Sequence, residues 1–382
     1  MRLNSLVLRN FRNYVDCELE FPDRVNLVVG KNAQGKTNLL EAIHFISTSK
    51  SHRTFLDDEL IKHDDNWFYL RACIVDSSDV DVSDVDEMKV EVSKELRGNK
   101  KFKVNGNAIP KISAWIGRFQ VVFFAPESLS LVKGSPVGRR RFLDTLISQI
   151  DRSYLRKLQS YQVTLKQRNQ LLKQIRSNYV EKNLIEPWDG LLAEDGISIA
   201  KTRSSVIQSL RIHACKKHEN LSDNCESLDV LYRPSVGEVV DLPRDDAVNQ
   251  FLAKLEGARS TDYMRGTTSV GPHRDDFDLM VQGQEDSAYY EAKSYCSQGQ
   301  QRTIAVALKL AELEVLREHS GSTPVVMLDD VLSELDDVRS RMLFDLLEKL
   351  NVQTFITATE MEMWSGSHKD CHVVRVQNGE II

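Results

Sequence analysis

The segment GKNAQGKT, residues 30–37, constrains the fold of this chain more than any other part of the sequence. It fits the pattern G-x-x-x-x-G-K-[ST], in which a glycine loop between a strand and a helix surrounds phosphate groups with backbone N–H donors. The flanks agree with this pattern, because the apolar run VNLVV comes before the loop and TNLLEAIHFIS, with its apolar residues at helical spacing, comes after it. The segment therefore predicts a phosphate-binding loop in an α/β domain.

The residues of this loop have separate tasks. The glycines let the backbone approach the phosphates closely, Lys36 would neutralise the β- and γ-phosphates, and the hydroxyl of Thr37 would ligate magnesium. The alternative is a chance glycine turn, against which the flanking strand and helix argue. The predicted nucleotide-binding residues are Gly30, Lys31, Asn32, Ala33, Gln34, Gly35, Lys36 and Thr37.

A second segment with chemical meaning is VVMLDD at 325–330, an apolar run that ends in two acids. A buried strand ending in Asp329 would place a carboxylate beside the magnesium, and Asp330 would lie where a base orients water. Taken alone, such a run is often only a strand that enters a loop. Together with the phosphate-binding loop it predicts catalytic roles for Lys36, Asp329 and Asp330, with Thr37 and Asp329 on the metal.

A third segment, SQGQQR at 297–302, opens a helix predicted from about Gln300 to Glu318. A serine and a glycine at a helix start, where several backbone N–H groups are free, form a good anion site. The alternative is that Ser297 caps an ordinary amphipathic helix. The sequence alone leaves both interpretations open.

Strands and helices alternate near both ends of the chain, whereas a long middle section is mostly helical by pattern. We expect one discontinuous α/β domain with an inserted, mainly helical arm. Its predicted parts are residues 1–127, 128–265 and 266–382.

Two local features are also predicted. Asn105-Gly106, between two strand-like runs, is predicted to form a turn. The acidic stretch SSDVDVSDVDE, residues 77–87, is predicted to be an exposed loop.

Composition excludes several classes of protein. The formal charge of -6 over 382 residues argues against coating nucleic acid by bulk charge, although local basic stripes could bind phosphates. The six cysteines are scattered and predict reduced thiols, and no apolar run is long enough to span a bilayer, so we expect a cytoplasmic protein. Basic candidates for phosphate contacts are Lys94, Arg97, Lys100, Lys101, Lys103, Arg139, Arg140, Arg141, Lys166, Arg168, Lys173 and Arg176.

The order of these motifs resembles that of the ATP-binding-cassette ATPases, and in detail that of the RecF family, which is related to the heads of structural-maintenance-of-chromosomes (SMC) proteins. The resemblance covers nearly the whole chain. The matching segments are LRNFRNY at 8–14, GKNAQGKTNLLEAI at 30–43, SHRTFLDDELI at 51–61, FFAPE at 123–127, GSPVGRRRFLD at 134–144, YQVTLKQRNQLL at 161–172, GPHRDD at 271–276, SQGQQRT at 297–303 and LDDVLSELD at 328–336.

The resemblance implies an ATPase of which two copies dimerise head to tail around ATP and magnesium. The signature residues Ser297, Gly299 and Gln300 of one subunit would complete the phosphate site of the other, and Asp336 would lie at the dimer seam. Arg12 and Arg53 would lie near the nucleotide or DNA. The implied role is that of a weak ATPase that clamps duplex and gapped DNA and, with RecR and RecO, helps to load RecA.

Two departures from the wider ATPase pattern concern the acids and the switch residue. Asp330 stands where transporter-type ATPases usually have glutamate, and TFITATE at 354–360 lacks the usual histidine, for which Thr357 could substitute by hydrogen bonding. The glutamine of the usual glutamine loop has no clear counterpart, although Pro126-Glu127 lies near its place.

Three other functions share the nucleotide motifs. A transporter subunit fits poorly with the helical insertion, and a nuclease would need an added metal-carboxylate domain. A chromosome tether would need a far longer arm than this one, which Pro187, Gly196 and Pro234 interrupt.

Overall fold

The computed structural model describes residues 1–22, 24–75, 87–177, 179–284, 288–331, 337–359 and 371–382. Its strands are β1 (Arg2–Phe11), β2 (Tyr14–Glu20), β3 (Val25–Val29), β4 (Trp67–Val75), β5 (Glu87–Glu95), β6 (Lys101–Val104), β7 (Asn107–Ala108), β8 (Val121–Phe124), β9 (Glu226–Arg233), β10 (Asp276–Gly283), β11 (Tyr290–Glu291), β12 (Val325–Leu328), β13 (Thr354–Ala358), β14 (His372–Gln377) and β15 (Glu380–Ile381). Its helices are α1 (Lys36–Thr48), α2 (Ser130–Lys133), α3 (Pro136–Ile150), α4 (Arg152–Arg176), α5 (Glu186–Leu221), α6 (Arg244–Arg265), α7 (Ala292–Tyr295), α8 (Gln298–Ser320) and α9 (Asp337–Lys349).

The chain forms two compact units. The first combines Met1–Ser128 with Glu312–Ile382, and the second is Leu129–Ala311. The first break therefore falls beside the predicted end of the N-terminal part at 127, while the second unit continues beyond the predicted arm boundary at 265. Among the helices that the structure describes, none is both long and apolar enough to cross a membrane.

The first unit contains two six-stranded sheets. One is antiparallel, in the order β2-β1-β4-β5-β6-β7. Its strands β4 and β5 alternate buried and more exposed side chains, as expected of a sheet with one face on the core. The predicted turn at Asn105-Gly106 is confirmed: it joins β6 to β7, and both residues have positive φ (49° and 77°), which suits a two-residue hairpin.

The other sheet positions the residues of the predicted nucleotide site. Its order is β15-β14-β3-β13-β12-β8, and the five strands from β14 to β8 run parallel. Strands β12 and β13 are buried at every residue, which explains why β12 is entirely apolar and why the only polar residues of β13 are Thr354 and Thr357. Because the carboxyl ends of parallel strands meet at one edge, the loops after β3, β12 and β13 lie side by side there.

The second unit packs α4, α5 and α6 together and adds the antiparallel sheet β11-β10-β9. The mainly helical prediction for this region is confirmed, but it missed β9, whose sequence ESLDVLYR lies between two helices. The acidic stretch predicted as a loop lies outside the described residues except for Glu87, which begins β5.

The expectation that Pro187 and Gly196 interrupt the arm is wrong, because both lie inside the 36-residue helix α5. Pro187 is in the first turn, where a missing N–H costs no intrahelical hydrogen bond. Gly196 is in the interior, where an added Cβ would lie 2.7 Å from the ring of Phe251 and 3.3 Å from that of Tyr161. Close packing against neighbouring helices therefore accounts for this glycine.

Candidate nucleotide site

The predicted phosphate-binding loop lies between β3 and α1, at the carboxyl edge of the parallel sheet. At Gly30, an added Cβ would lie 2.3 Å from the backbone oxygen of Val376, so no side chain fits there. Gly35, the last loop residue before the helix, has a φ of 122°, which favours glycine. The two glycines thus meet the backbone requirements of the loop, and the start of α1 directs its free N–H groups into it.

Lys36 folds back over this loop. Its Nζ donates to the backbone oxygens of Gly30, at 2.5 Å, and Lys31, at 3.0 Å. Burial lowers the pKa of Lys36, while the nearby carboxylates of Asp330 and Asp329 act in the opposite direction. The ammonium is therefore held at the centre of the loop, where anionic phosphate oxygens would replace the carbonyls as its partners.

Asp329 brings the two motifs together although it lies far from the loop in sequence. It is buried directly after β12, and its Oδ1 accepts hydrogen bonds from the hydroxyls of Thr37 (3.1 Å) and Thr357 (2.8 Å). Burial raises the pKa of Asp329, and the charges of Glu127 and Asp330 add to this, whereas the two hydroxyl bonds lower it. A buried carboxylate of this kind is suited to bind a cation.

The oxygens at this point fit magnesium. A threonine hydroxyl and a carboxylate are hard ligands, and Mg²⁺ is commonly held by one or two carboxylates together with substrate phosphates. Within the described part of the chain, no group of three or more histidine, cysteine, aspartate or glutamate side chains could form a metal cage by itself. Thr37 and Asp329 would therefore supply the protein ligands, and the nucleotide the others.

Asp330 follows at an exposed position with an uncommon backbone conformation, φ 52°. Its N–H donates to the hydroxyl of Thr357 at 2.8 Å. Thr357, at the end of β13, therefore bonds to both acidic residues, which fits the predicted substitution for the switch histidine by hydrogen bonding. Asp336, predicted at the dimer seam, lies outside the described residues.

A buried carboxylate that the sequence interpretation missed lies next to the loop. Glu41, fully buried on α1, accepts two hydrogen bonds of 2.8 Å from the guanidinium of Arg12 and one of 2.5 Å from Ser51. Arg53 lies 3.6 Å from the same carboxylate. The sequence did contain one sign that Glu41 is buried near the loop. Glu41 lies one helical turn after Thr37, among apolar residues that face the core.

Ser51 extends the effect of Glu41 to the neighbouring turn. Its Oγ accepts hydrogen bonds from the N–H groups of Arg53 (2.9 Å) and Thr54 (3.1 Å). One carboxylate thus orients the side chain of Arg12 and the backbone that carries Arg53. The structure therefore brings both predicted arginines beside the helix that follows the phosphate-binding loop.

The turn between β1 and β2 braces the loop from the other side. Asn13 donates to the backbone oxygen of Gln34 at 2.9 Å, and the hydroxyl of Tyr14 donates to that of Gly35 at 3.0 Å. Asn38, on α1, donates to Asn13 at 2.8 Å. The segment LRNFRNY therefore acts as a support for the loop, with Arg12 at its tip.

The signature segment lies in the second unit, where Ser297 is exposed just before α8. The Ser297 hydroxyl accepts from the N–H of Gln300 at 3.3 Å, and the Gln300 side chain accepts from the N–H of Ser297 at 2.6 Å. This reciprocal pair is a capping box. The helix-cap prediction is therefore confirmed, while a phosphate contact through Ser297, Gly299 and Gln300 stays a prediction.

The predicted basic contacts differ in how accessible they are. Arg139 is buried, with both ends of its guanidinium 2.7 Å from Asp276, and Arg168 is buried between Asp189 and Asp262. These two are ion-pair partners of the protein interior, which corrects their prediction as phosphate contacts. A charged guanidinium loses its solvation on burial and needs such carboxylates around it.

Lys94 is buried as well, which corrects its prediction as a phosphate contact, whereas the other cations of the predicted set lie closer to solvent. The Nζ of Lys100 donates to the carboxylate of Asp57 (2.8 Å) and to the backbone oxygen of Ser49 (2.6 Å). Arg140 donates to the backbone oxygen of Asp275 at 2.7 Å. Lys101 is exposed and lies 3.6 Å from Glu95.

Comparison with known proteins shows what the chain is related to. The family model described as RecF/RecN/SMC N terminal domain matches residues 2–382. The DNA replication and repair proteins RecF of Bacillus cereus strain G9842 and Bacillus mycoides strain KBAB4 are each 38% identical to it over 385 residues, covering 100% of this chain and 98% of theirs.

Solved structures agree with the sequence comparison. A structure of the recombination mediator protein RecF with ATP, in the RecFOR pathway, has a TM-score of 0.89 at 37% identity and covers 100% of this chain and 96% of that one. An SMC head domain from Pyrococcus furiosus has a TM-score of 0.56 at 15% identity, covers 100% of this chain and 95% of that one, and supports the fold alone. The predicted fold, an ABC-type ATPase head with a discontinuous phosphate-loop core, is confirmed, and the chain belongs to the RecF family of DNA replication and repair proteins.

Proposed function

We propose that this chain is an ATP-dependent recombination mediator that dimerises on ATP, binds duplex and gapped DNA, and hydrolyses ATP slowly to release it. The observation that carries the proposal is the hydrogen bond from Thr37 to Asp329, which joins residues 292 positions apart at one edge of the sheet. It assembles the phosphate-binding loop and the acidic strand into one site. Similarity to RecF over the full chain supports the same function.

Each residue of the site has a task in this proposal. Lys36 and the loop N–H groups bind the β- and γ-phosphates, and Thr37 with Asp329 holds magnesium, which would neutralise phosphate charge. Asp330 orients the attacking water and accepts its proton. Thr357 fixes both acids through the two hydrogen bonds described above. Arg12 and Arg53 contact phosphate from the side of the β1–β2 turn.

Dimerisation follows from linkage. A nucleotide bound by Lys36 of one subunit and by Ser297, Gly299 and Gln300 of another stabilises only the dimer, so the dimer population rises with ATP. Binding to DNA rises with it when the DNA contacts two subunits at once, and hydrolysis reverses both effects. Partner proteins RecR and RecO and the loading of RecA are inferred from the RecFOR pathway named for the similar structures.

The test of this function is a comparison of nucleotides. With ATP and magnesium the protein should sediment as a dimer and bind duplex DNA more tightly, whereas with ADP it should remain a monomer with weak DNA binding. Sedimentation velocity and fluorescence anisotropy with a labelled duplex measure the two effects. If the protein stayed a monomer and bound DNA equally with either nucleotide, the proposal of an ATP-dependent dimer that holds DNA would be excluded.

We also expect Glu41→Gln to weaken ATP binding about tenfold. Glutamine keeps the shape of Glu41 but loses the charge, and its NH₂ group would face the donors of Arg12, so the charge-assisted hydrogen bonds that orient this arginine are lost. Titration with a fluorescent ATP analogue measures the change in dissociation constant. Glu59→Gln is the matched control, because the exposed Glu59 accepts from Arg12 only through its backbone oxygen.

A double-mutant cycle separates positioning from stability. If Glu41 acts through Arg12, then Glu41→Gln combined with Arg12→Gln binds ATP no more weakly than Arg12→Gln alone. Additive losses would show that Glu41 does not act through Arg12 alone, and a lower melting temperature with unchanged ATP affinity would show that Glu41 serves only the stability of the fold.

A further inference from the structure

A recess on the antiparallel sheet of the first unit has no role in the nucleotide site. It lies where β4 begins and β5 turns into β6, has a volume of about 540 Å³, and is called here the Trp67 recess. Its lining includes Trp67, Lys94, Glu95, Leu96, Arg97 and Lys101. The volume is that of a site for one ligand of small-molecule size.

The apolar part of the recess is unusually open. Trp67, the first residue of β4, is 43% exposed, and Leu96, directly after β5, is 44% exposed. Trp67 pairs with Glu95 across the sheet, and the N–H of Leu96 donates to the backbone oxygen of Asn66 at 2.7 Å. A large flat ring is thus presented to solvent on a rigid support, which suits stacking against a planar group.

The rim of the recess is mainly cationic. Arg97 and Lys101 are exposed, and Glu95, 3.6 Å from Lys101, is the only carboxylate in the lining. The turn that carries Arg97 is fixed from below by the buried Lys94, whose Nζ donates to the backbone oxygens of Glu95 (3.2 Å) and Gly98 (3.0 Å). Lys94 also pairs with Asp58, which anchors this turn at a second point.

The topology limits how a ligand can enter. Strands β4 and β5 are internal in the order β2-β1-β4-β5-β6-β7 and pair with each other at Trp67 and Glu95, so a peptide cannot add as a further strand between them. Only the face of the sheet is available, where an aromatic ring lies beside exposed cations. Base stacking with a phosphate held by arginine and lysine is the recognition mode that this combination supports.

We propose that the Trp67 recess binds one unpaired nucleotide of DNA, with the base on Trp67 and the phosphate between Arg97 and Lys101. A paired base is enclosed in its own stack and cannot reach this ring unless it leaves the helix. The recess therefore gives a preference for gapped over continuous duplex. This inference rests on the proposed binding to DNA and specifies the DNA structure that is recognised.

The experiment compares two DNAs with the full-length protein, ATP and magnesium. One is a continuous duplex and the other the same duplex with a short single-stranded gap. Trp67→Ala should weaken binding to the gapped DNA about tenfold, within the range for loss of one stacked base, and leave binding to the continuous duplex unchanged. Trp67→Phe should retain most of the affinity, and Arg97→Gln should weaken binding to gapped DNA and flatten its salt dependence.

Controls make the outcomes distinct. Tyr179→Ala removes another exposed aromatic side chain, in the second unit, and should change neither affinity. Equal losses on both DNAs, or no loss with Trp67→Ala, would overturn the inference while the proposed function stands. Failure of the unmodified protein to bind either DNA would instead overturn the proposed function.

Discussion

Replacement of Ser297 by arginine is expected to abolish ATP-dependent dimerisation while the monomer still binds nucleotide with nearly unchanged affinity. Ser297 lies exposed before α8, and in the proposed dimer it faces the γ-phosphate bound by another subunit. A long side chain there would occupy the space of the phosphate contact and prevent closure. Sedimentation velocity with ATP and magnesium, beside ATP titration of the monomer, measures the two properties separately.

The capping box sets the control for this variant. Arginine at 297 also removes the cap of α8, which costs about 1 kcal/mol of stability, and the added charge has effects of its own. Ser320→Arg adds the same side chain at the exposed other end of the same helix and should dimerise normally. Thermal unfolding of both variants measures the loss of the cap. Normal dimerisation of Ser297→Arg would leave Ser297 as a helix cap only.

The nucleotide site was predictable where its signals are local. The pattern at 30–37 and the acidic end of 325–330 each carry their chemistry within a few residues. That they meet could be inferred from one general property, since both segments follow strands of a parallel sheet and such strands end at a common edge. The hydrogen bond between Thr37 and Asp329 is the result.

Glu41 shows what a local pattern does not contain. The role of its carboxylate depends on Arg12, in a turn 29 residues earlier, and on Ser51, after the helix. In the helical pattern, Glu41 is only a charged residue among apolar neighbours. Its partners become visible only when the β1–β2 turn is placed against α1, which is information about tertiary structure.

The same limit explains the errors in the second unit. Gly196 has the sequence signal of a helix interruption, yet it allows the close approach of Phe251 and Tyr161 to α5. Arg139 has the signal of a surface cation in GRRRF, but Asp276, far along the chain, holds it in the interior. At both positions, burial and packing depend on residues that are distant in sequence. The neighbouring sequence does not indicate which residues these are.

Asp330→Asn is expected to reduce ATP hydrolysis by about 10²–10⁴-fold, the usual contribution of a general base, and to leave ATP binding intact. The Asp329 carboxylate accepts its hydrogen bonds from the hydroxyls of Thr37 and Thr357, and Asp330 donates to Thr357 through its backbone N–H, which the substitution keeps. The variant should therefore form the ATP-bound dimer and fail to dissociate. Phosphate release and sedimentation over time measure the lost hydrolysis and the persisting dimer.

Asp329→Asn should behave differently, because Asp329 is the proposed magnesium ligand and its charge is needed for binding rather than for proton transfer. We expect weak, magnesium-independent ATP binding and no dimer. Asp345→Asn, which neutralises an exposed carboxylate on α9, controls for a general change in charge. If Asp330→Asn also lost ATP-dependent dimerisation, or if it hydrolysed ATP at the normal rate, Asp330 would not be the base. The distinct results expected for the two neighbouring acids follow from their environments, since one is buried between two threonine hydroxyls and the other is exposed.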